Sequence, residues 1–322
     1  MYFRGQMSKR FFIYFLLFAS PILLLLYSFQ VETITKEKIG EMLFFEKTLS
    51  SDSSISCASC HKPEFAFADH VAFSKGVGGH LTKRNTPSVM NMAARSVFFW
   101  DGRAASLEEQ VKGPIENPDE MNLPFAKAVH RLRQNTRYIP LFRQVFHRMP
   151  DSASVLECIA AFERSLETDQ TPSDRWLNDL PGGLNEAQIR GRELFLSERT
   201  RCFDCHFTPD FTADEFRNIG LFNGKDLNDS GRYCISHKQE DIGKFKVPGL
   251  RNIAQTAPYM HNGQFKTLKE VVDYYNDPES VLKGGLFRDE ILPAKMGLTE
   301  SEKLDLVDYL EALSDDRFTR KK

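Results

Sequence analysis

Two Cys-x-x-Cys-His strings, Cys57-Ala58-Ser59-Cys60-His61 and Cys202-Phe203-Asp204-Cys205-His206, constrain this chain more than any other feature. Two thiols two residues apart can form thioethers to the two vinyl groups of one haem, and the adjacent His then places a neutral imidazole nitrogen on the iron. Zinc sites made of two Cys-x-x-Cys pairs hold them closer in sequence and need no His in this register. A thioredoxin-like site uses one dithiol without a trailing His. The strings therefore predict two covalent c-type haems, with Cys57, Cys60 and His61 on one and Cys202, Cys205 and His206 on the other. Only six cysteines occur in 322 residues, too few for a disulfide scaffold. Cys158 reads as a packed thiol in an apolar helix, and Cys234 as a loop cysteine.

The motifs lie in duplicated halves. Gly40-x-x-Leu43-Phe44 precedes the first string and Gly191-x-x-Leu194-Phe195 the second. Residues 87–111 align with 248–272 at a constant offset of 161, with seven identities, among them Pro87/Pro248, Asn91/Asn252, Gly102/Gly263 and Leu107/Leu268. The Pro-Gly-Gly stretch near Asp179–Gly183 marks the join. Helical signals dominate. Asn185 and Thr299 open capping-box helices, and residues 152–168 carry Val155, Ile159, Phe162 and Leu166 at helical spacing. Alternating strand patterns are scarce, and the Asn-Gly pairs at 223–224 and 262–263 lack the flanking runs of a hairpin. The expected fold is all-α.

Residues 11–29 are uncharged and follow Arg4, Lys9 and Arg10. Nineteen residues at about 1.5 Å each nearly span a hydrocarbon core of about 30 Å. No clear A-x-A site follows, so the run reads as an uncleaved signal anchor, with a cleaved signal peptide as the alternative. The basic flank stays in the cytoplasm and the body is exported, to the periplasmic side of an inner membrane. The expected organisation is an anchor over 1–30, a first haem domain over 31–180 and a second over 181–322. A net charge of −2 supplies no basic field for nucleic acid.

Beyond these residues the chain resembles the bacterial di-haem cytochrome c peroxidase and MauG superfamily. The resemblance rests on CASCH, KRNTPS (83–88), FFWDGRAASLEEQVKGPIENPDEM (98–121), CFDCH, GKFKVPGLRN (243–252) and TAPYMHNGQFKTLKEVVDYYN (256–276). It implies two tandem cytochrome c-like domains. The first haem would meet peroxide, and the second would pass electrons to it. Gln110 and Glu120 match the family's distal-pocket glutamine and glutamate, and Trp100 matches the tryptophan between the haems. Asn85, Thr256 and Pro258 match positions that hold an inter-domain calcium ion, a hard cation suited to oxygen ligands from both halves.

Two departures from the family pattern stand out. The His that caps the first iron in typical members ends an S-x-G-H string, and here that place is Val77 in Ser74-Lys75-Gly76-Val77. His70 and His80 are out of register. The first haem is therefore expected to be five-coordinate without reductive activation. At the second haem, the family's peroxidases place a methionine fourteen residues after the His of the P-Y-x-H-x-G string. Counting from His261 reaches Tyr275, as in MauG-like members. A phenolate stabilises ferric iron and lowers its potential relative to a thioether. Met296 is the runner-up ligand.

Three functions are weighed. The first is a peroxidase reducing hydrogen peroxide with electrons from a small periplasmic redox protein, a c-type cytochrome or cupredoxin. The second is a MauG-like enzyme that uses peroxide to oxidise a residue on a partner protein. The third is a non-enzymatic electron carrier, against which Glu120, Gln110 and Val77 argue. The sequence leaves monomer and homodimer both open.

Overall fold

A computed structural model describes residues 34–318. The anchor expected over residues 11–29 lies outside the described residues. Among the described residues, no helix is long and apolar enough to cross a membrane. The longer helices are α1 (Lys36–Phe44), α2 (Leu107–Glu116), α3 (Phe125–Gln134), α4 (Tyr138–Phe146), α5 (Ser152–Ser165), α6 (Glu186–Leu196), α7 (Leu268–Asn276) and α8 (Glu300–Glu311). Long loops and short helical turns join them. Among the described residues, one two-stranded antiparallel pair forms, β1 (Phe216–Arg217) with β2 (Phe245–Lys246).

Each half is organised by the crossing of its first and last long helices. Gly40 of α1 meets α5 where a Cβ would stand 1.8 Å from the Cys158 carbonyl oxygen. Gly191 of α6 meets α8 where a Cβ would stand 1.9 Å from the Asp305 carbonyl oxygen. Only glycine allows backbones so close. Beside each crossing an edge-to-face aromatic pair fills the gap: Phe44 with Phe162, centroids 5.2 Å apart, and Phe195 with Tyr309, 5.4 Å apart.

The offset of 161 is visible as geometry. The bridge Phe98–Ala104 has its counterpart in Tyr259–Phe265. Gly102 and Gly263, inside those turns, both have positive φ, 70° and 64°. Ser106 caps α2 by accepting from Glu109 N, and Thr267 caps α7 by accepting from Glu270 N. Asn91 and Asn252, both left-handed, donate their main-chain N–H to Leu166 O (2.8 Å) and Leu313 O (2.9 Å), closing α5 and α8 respectively.

The capping boxes at Asn185/Gln188 and Thr299/Glu302 form as the sequence predicts. The helix expected over 152–168 ends at Ser165, because Leu166 and Thr168 are drawn into bonds with Asn91. Asn262-Gly263 does sit in a tight turn, closed by the single Tyr259–Phe265 bridge and not by a ladder. Cys158 is fully buried, and Cys234 is exposed with its Sγ 3.2 Å from Ser230 Oγ.

Charged and polar bonds join the halves. Arg84 bonds Asp101 at 2.6 Å and reaches Asp229 with both Nε (2.7 Å) and Nη2 (2.8 Å). Arg251 makes a two-pronged pair with Asp174 at 2.8 and 3.0 Å. Asn85 N donates to His261 O at 2.7 Å.

Candidate functional site: two haem cavities

His61 and His206 are set up alike. In each string the backbone turns so that the imidazole Nδ1 meets a main-chain carbonyl, Phe67 O at 3.0 Å for His61 and Phe211 O at 2.8 Å for His206. That bond fixes the tautomer with the proton on Nδ1 and leaves Nε2 free as a ligand. Burial lowers the pKa of both rings, which keeps them neutral as iron binding requires. Each ring faces a cavity.

The first cavity, about 740 Å³, is lined by His61, Trp100, Gln110, Pro114, Glu120 and Glu163 among others. A narrower recess brings Cys57 and Cys60 beside His61, Gln110, Glu120 and Glu163. In that recess Gln110 and Glu120 sit beside Pro114 and the apolar Val111 and Ile159. Glu120 Oε1 accepts from Asn117 Nδ2 at 2.6 Å. Burial nevertheless raises its pKa above the ordinary carboxyl value, against the lowering by Asn117 and Arg103. Gln110 Oε1 is buried without a hydrogen-bond partner among the described residues. Such an atom fits a site made to face a bound group.

The loop bearing Val77 does not supply a ligand side chain. Val77 N donates to Glu120 O at 2.8 Å, and Gly76 packs where a Cβ would lie 2.1 Å from the Asp119 carbonyl oxygen. The loop thus braces the segment that carries Glu120. His70 and His80 are exposed, and His70 bonds Ala257 O at 3.1 Å.

The second cavity, about 220 Å³, is lined by Cys202, Cys205, His206, Tyr275 and Met296, with apolar walls from Leu268, Val272, Leu306 and Leu310. Burial raises the pKa of the Tyr275 hydroxyl. Met296 is buried and lines the same cavity, so both candidate ligands border it. The donor sets of both cavities, with paired thiols, a tautomer-fixed imidazole and apolar walls, fit c-type haem.

Trp100 lines both cavities. Its Nε1 donates to Asn85 O at 2.8 Å, and its carbonyl accepts from Lys246 N at 2.8 Å. Asn85, Thr256 and Pro258 are brought together on the wall of the second cavity. Among the described residues, no cluster of three His, Cys, Asp or Glu side chains is placed to hold a metal ion.

Two further residues line the cavities, neither given a role by the sequence motifs. His261 stacks on Phe245 at 3.7 Å between ring centroids and lines the second cavity. The offset of 161 pairs it with Trp100, which was the available signal. Glu163 lines the first cavity, and no motif points to it.

Comparison with known proteins agrees with this geometry. A family model described as di-haem cytochrome c peroxidase matches residues 35–180. Over 288 residues the chain is 38% identical to the methylamine utilization protein MauG of Methylorubrum extorquens, covering 87% of this chain and 79% of that one. It is 34% identical over 313 residues to cytochrome-c peroxidase IdrP1 of Denitromonas iodatirespirans, covering 88% and 82%. The crystal structure of a MauG-like protein associated with microbial copper homeostasis superposes with a TM-score of 0.81 at 30% identity, covering 89% of this chain and 93% of that one. The chain therefore belongs to the di-haem cytochrome c peroxidase and MauG superfamily, a family of oxidoreductases that carry two c-type haems.

Proposed function

We propose that the protein reduces hydrogen peroxide at the first haem with electrons relayed through the second. The observation that carries this reading is the meeting of Glu120 and Gln110 with His61 on one cavity. When bound there, haem supplies an iron that takes peroxide and exchanges electrons with it. Glu120 is the group that moves a proton from one peroxide oxygen to the other, and its buried, raised pKa suits an acid–base role. Gln110 orients the peroxide with its amide. His61 would hold the iron, its ring steadied by the Phe67 carbonyl. Trp100, on the wall of both cavities, is the aromatic step between the haems.

Cys57 and Cys60 hold the first haem, and Cys202, Cys205, His206 and Tyr275 the second. Asn85, Thr256 and Pro258 are the proposed oxygen donors to a calcium ion at the seam. The organisation follows the sequence: an anchor over 1–30, haem domains over 31–180 and 181–322, and an exported, periplasmic body. A c-type cytochrome or cupredoxin is the proposed donor.

Tyr275 favours a second reading, a MauG-like enzyme that oxidises a residue on a partner protein. A His/Tyr haem suits holding an oxidising equivalent better than collecting electrons from a high-potential donor. Steady-state turnover with peroxide and reduced cytochrome c separates the two. Rapid consumption of both supports the peroxidase, and negligible turnover supports the protein-modifying enzyme.

A further inference from the structure

The last helices of the two halves correspond at a constant offset of 147. Cys158 and Asp305 take the glycine crossings, Phe162 and Tyr309 lie one turn on, and Leu166 and Leu313 accept from Asn91 and Asn252. The same offset pairs Glu163 with Leu310. Leu310 is an apolar wall of the second cavity. Glu163, only 4% exposed, lines the first, and its Oε2 has no hydrogen-bond partner among the described residues. A buried, unpartnered carboxyl is costly, and α8 shows that this helix position accepts leucine. The cost is carried only in the half whose cavity also holds Glu120 and Gln110.

We propose that Glu163 is the redox-linked proton site of the first haem cavity: a carboxylate when the first iron is ferric and a carboxylic acid when it is ferrous. The inference rests on the reading that this cavity holds haem. One electron from a one-electron donor, arriving through the second haem, reduces the iron. One proton from solvent adds to a Glu163 carboxyl oxygen, so the net charge of the buried cavity is unchanged. In a poorly polarisable interior, an electron without such compensation is opposed electrostatically.

Cations on α5 and on the helices packed against it are already bonded. Arg164, next to it on α5, is held by both oxygens of Glu108 on α2, at 2.8 and 2.9 Å. From α1, Lys36 pairs with Glu157. From α3, Arg131 bonds the main-chain carbonyls of Thr48, Ser50 and Ser51. Across the cavity Glu120 is already bonded by Asn117, His61 is neutral, and Cys57 becomes an uncharged thioether on haem attachment. Burial pushes the Glu163 carboxyl up to about 8.

The test uses the haem-loaded protein and the variants Glu163→Gln, Glu163→Leu and Glu120→Gln. Spectroelectrochemistry follows the potential of each haem against pH, and infrared difference spectra compare the reduced and oxidised states. The proposal predicts that the first haem's potential falls as pH rises in the native protein. That dependence flattens in both Glu163 variants, and the second haem's is unaltered. A carboxylic acid C=O band appears on reduction, survives in Glu120→Gln and is lost in Glu163→Gln. A native pH dependence in both Glu163 variants overturns the proposal, as does a C=O band that persists in Glu163→Gln. A haem stain with no haem on the first motif overturns the cavity reading instead, so the two failures are distinct.

Discussion

The main chain of Gly40 lies so close to the carbonyl of Cys158 that a Cβ would stand 1.8 Å from its oxygen, and Phe162 Cβ is only 2.8 Å from the same point. The obstacle is backbone, so the helices themselves must separate to admit a methyl group. Gly40→Ala is expected to cost at least the ~1–3 kcal/mol usual for overpacking. Thermal unfolding followed by circular dichroism checks this, with Gly191→Ala expected to behave alike at Asp305. An unchanged melting temperature in both would mean that the crossings are looser than described.

Replacing Glu120 by Gln keeps the side-chain shape and removes the proton acceptor. O–O cleavage is predicted to slow at least tenfold, the low side of an acid–base contribution of about 10²–10⁴. Rapid mixing of the variant with peroxide measures it, and an unchanged rate removes Glu120 from the mechanism.

The same carboxyl predicts the acid limb of the pH profile. Burial, the largest influence, favours its neutral form and raises its pKa. Glu120 must be ionised to take a proton, so the rate falls as pH drops through the raised value. The fall should therefore be centred above the ordinary glutamate pKa of about 4.3. A cleavage rate flat down to that value argues for another base.

Trp100→Phe keeps an aromatic ring on the wall shared by the cavities but removes the Nε1 bond to Asn85 O. The lost bond costs about 1 kcal/mol of stability. Electron transfer from the second haem to the first is expected to slow by more than that energy implies, because the indole itself is the proposed carrier. Stopped-flow absorbance at the two haem bands, with the unfolding midpoint measured alongside, separates the two effects. Slowing no larger than the stability loss would make Trp100 a packing residue.

The parts of the site that short strings encode were legible in the sequence. Cys-x-x-Cys-His fixes thiols and imidazole locally, and Asn185 and Thr299 announce their helices by side chains that cap the next turn. The offset of 161 already implied matching turns at Gly102 and Gly263. Glu163 was not legible, because its meaning lies in its contrast with Leu310. That register depends on where α5 and α8 cross their partners, and Cys158 and Asp305, the crossing residues, share no chemistry. The β1–β2 pair was missed for a different reason: two residues per strand are too few to show alternation.

The proposed function requires two unlike haems, the first left open for peroxide where Val77 stands in place of a ligand and the second ligated by Tyr275. Electron paramagnetic resonance of the oxidised, haem-loaded protein distinguishes the two irons. A high-spin ferric signal is expected from the first haem beside a low-spin signal from the second, the latter altered in Tyr275→Phe. A spectrum containing only low-spin iron would contradict that requirement.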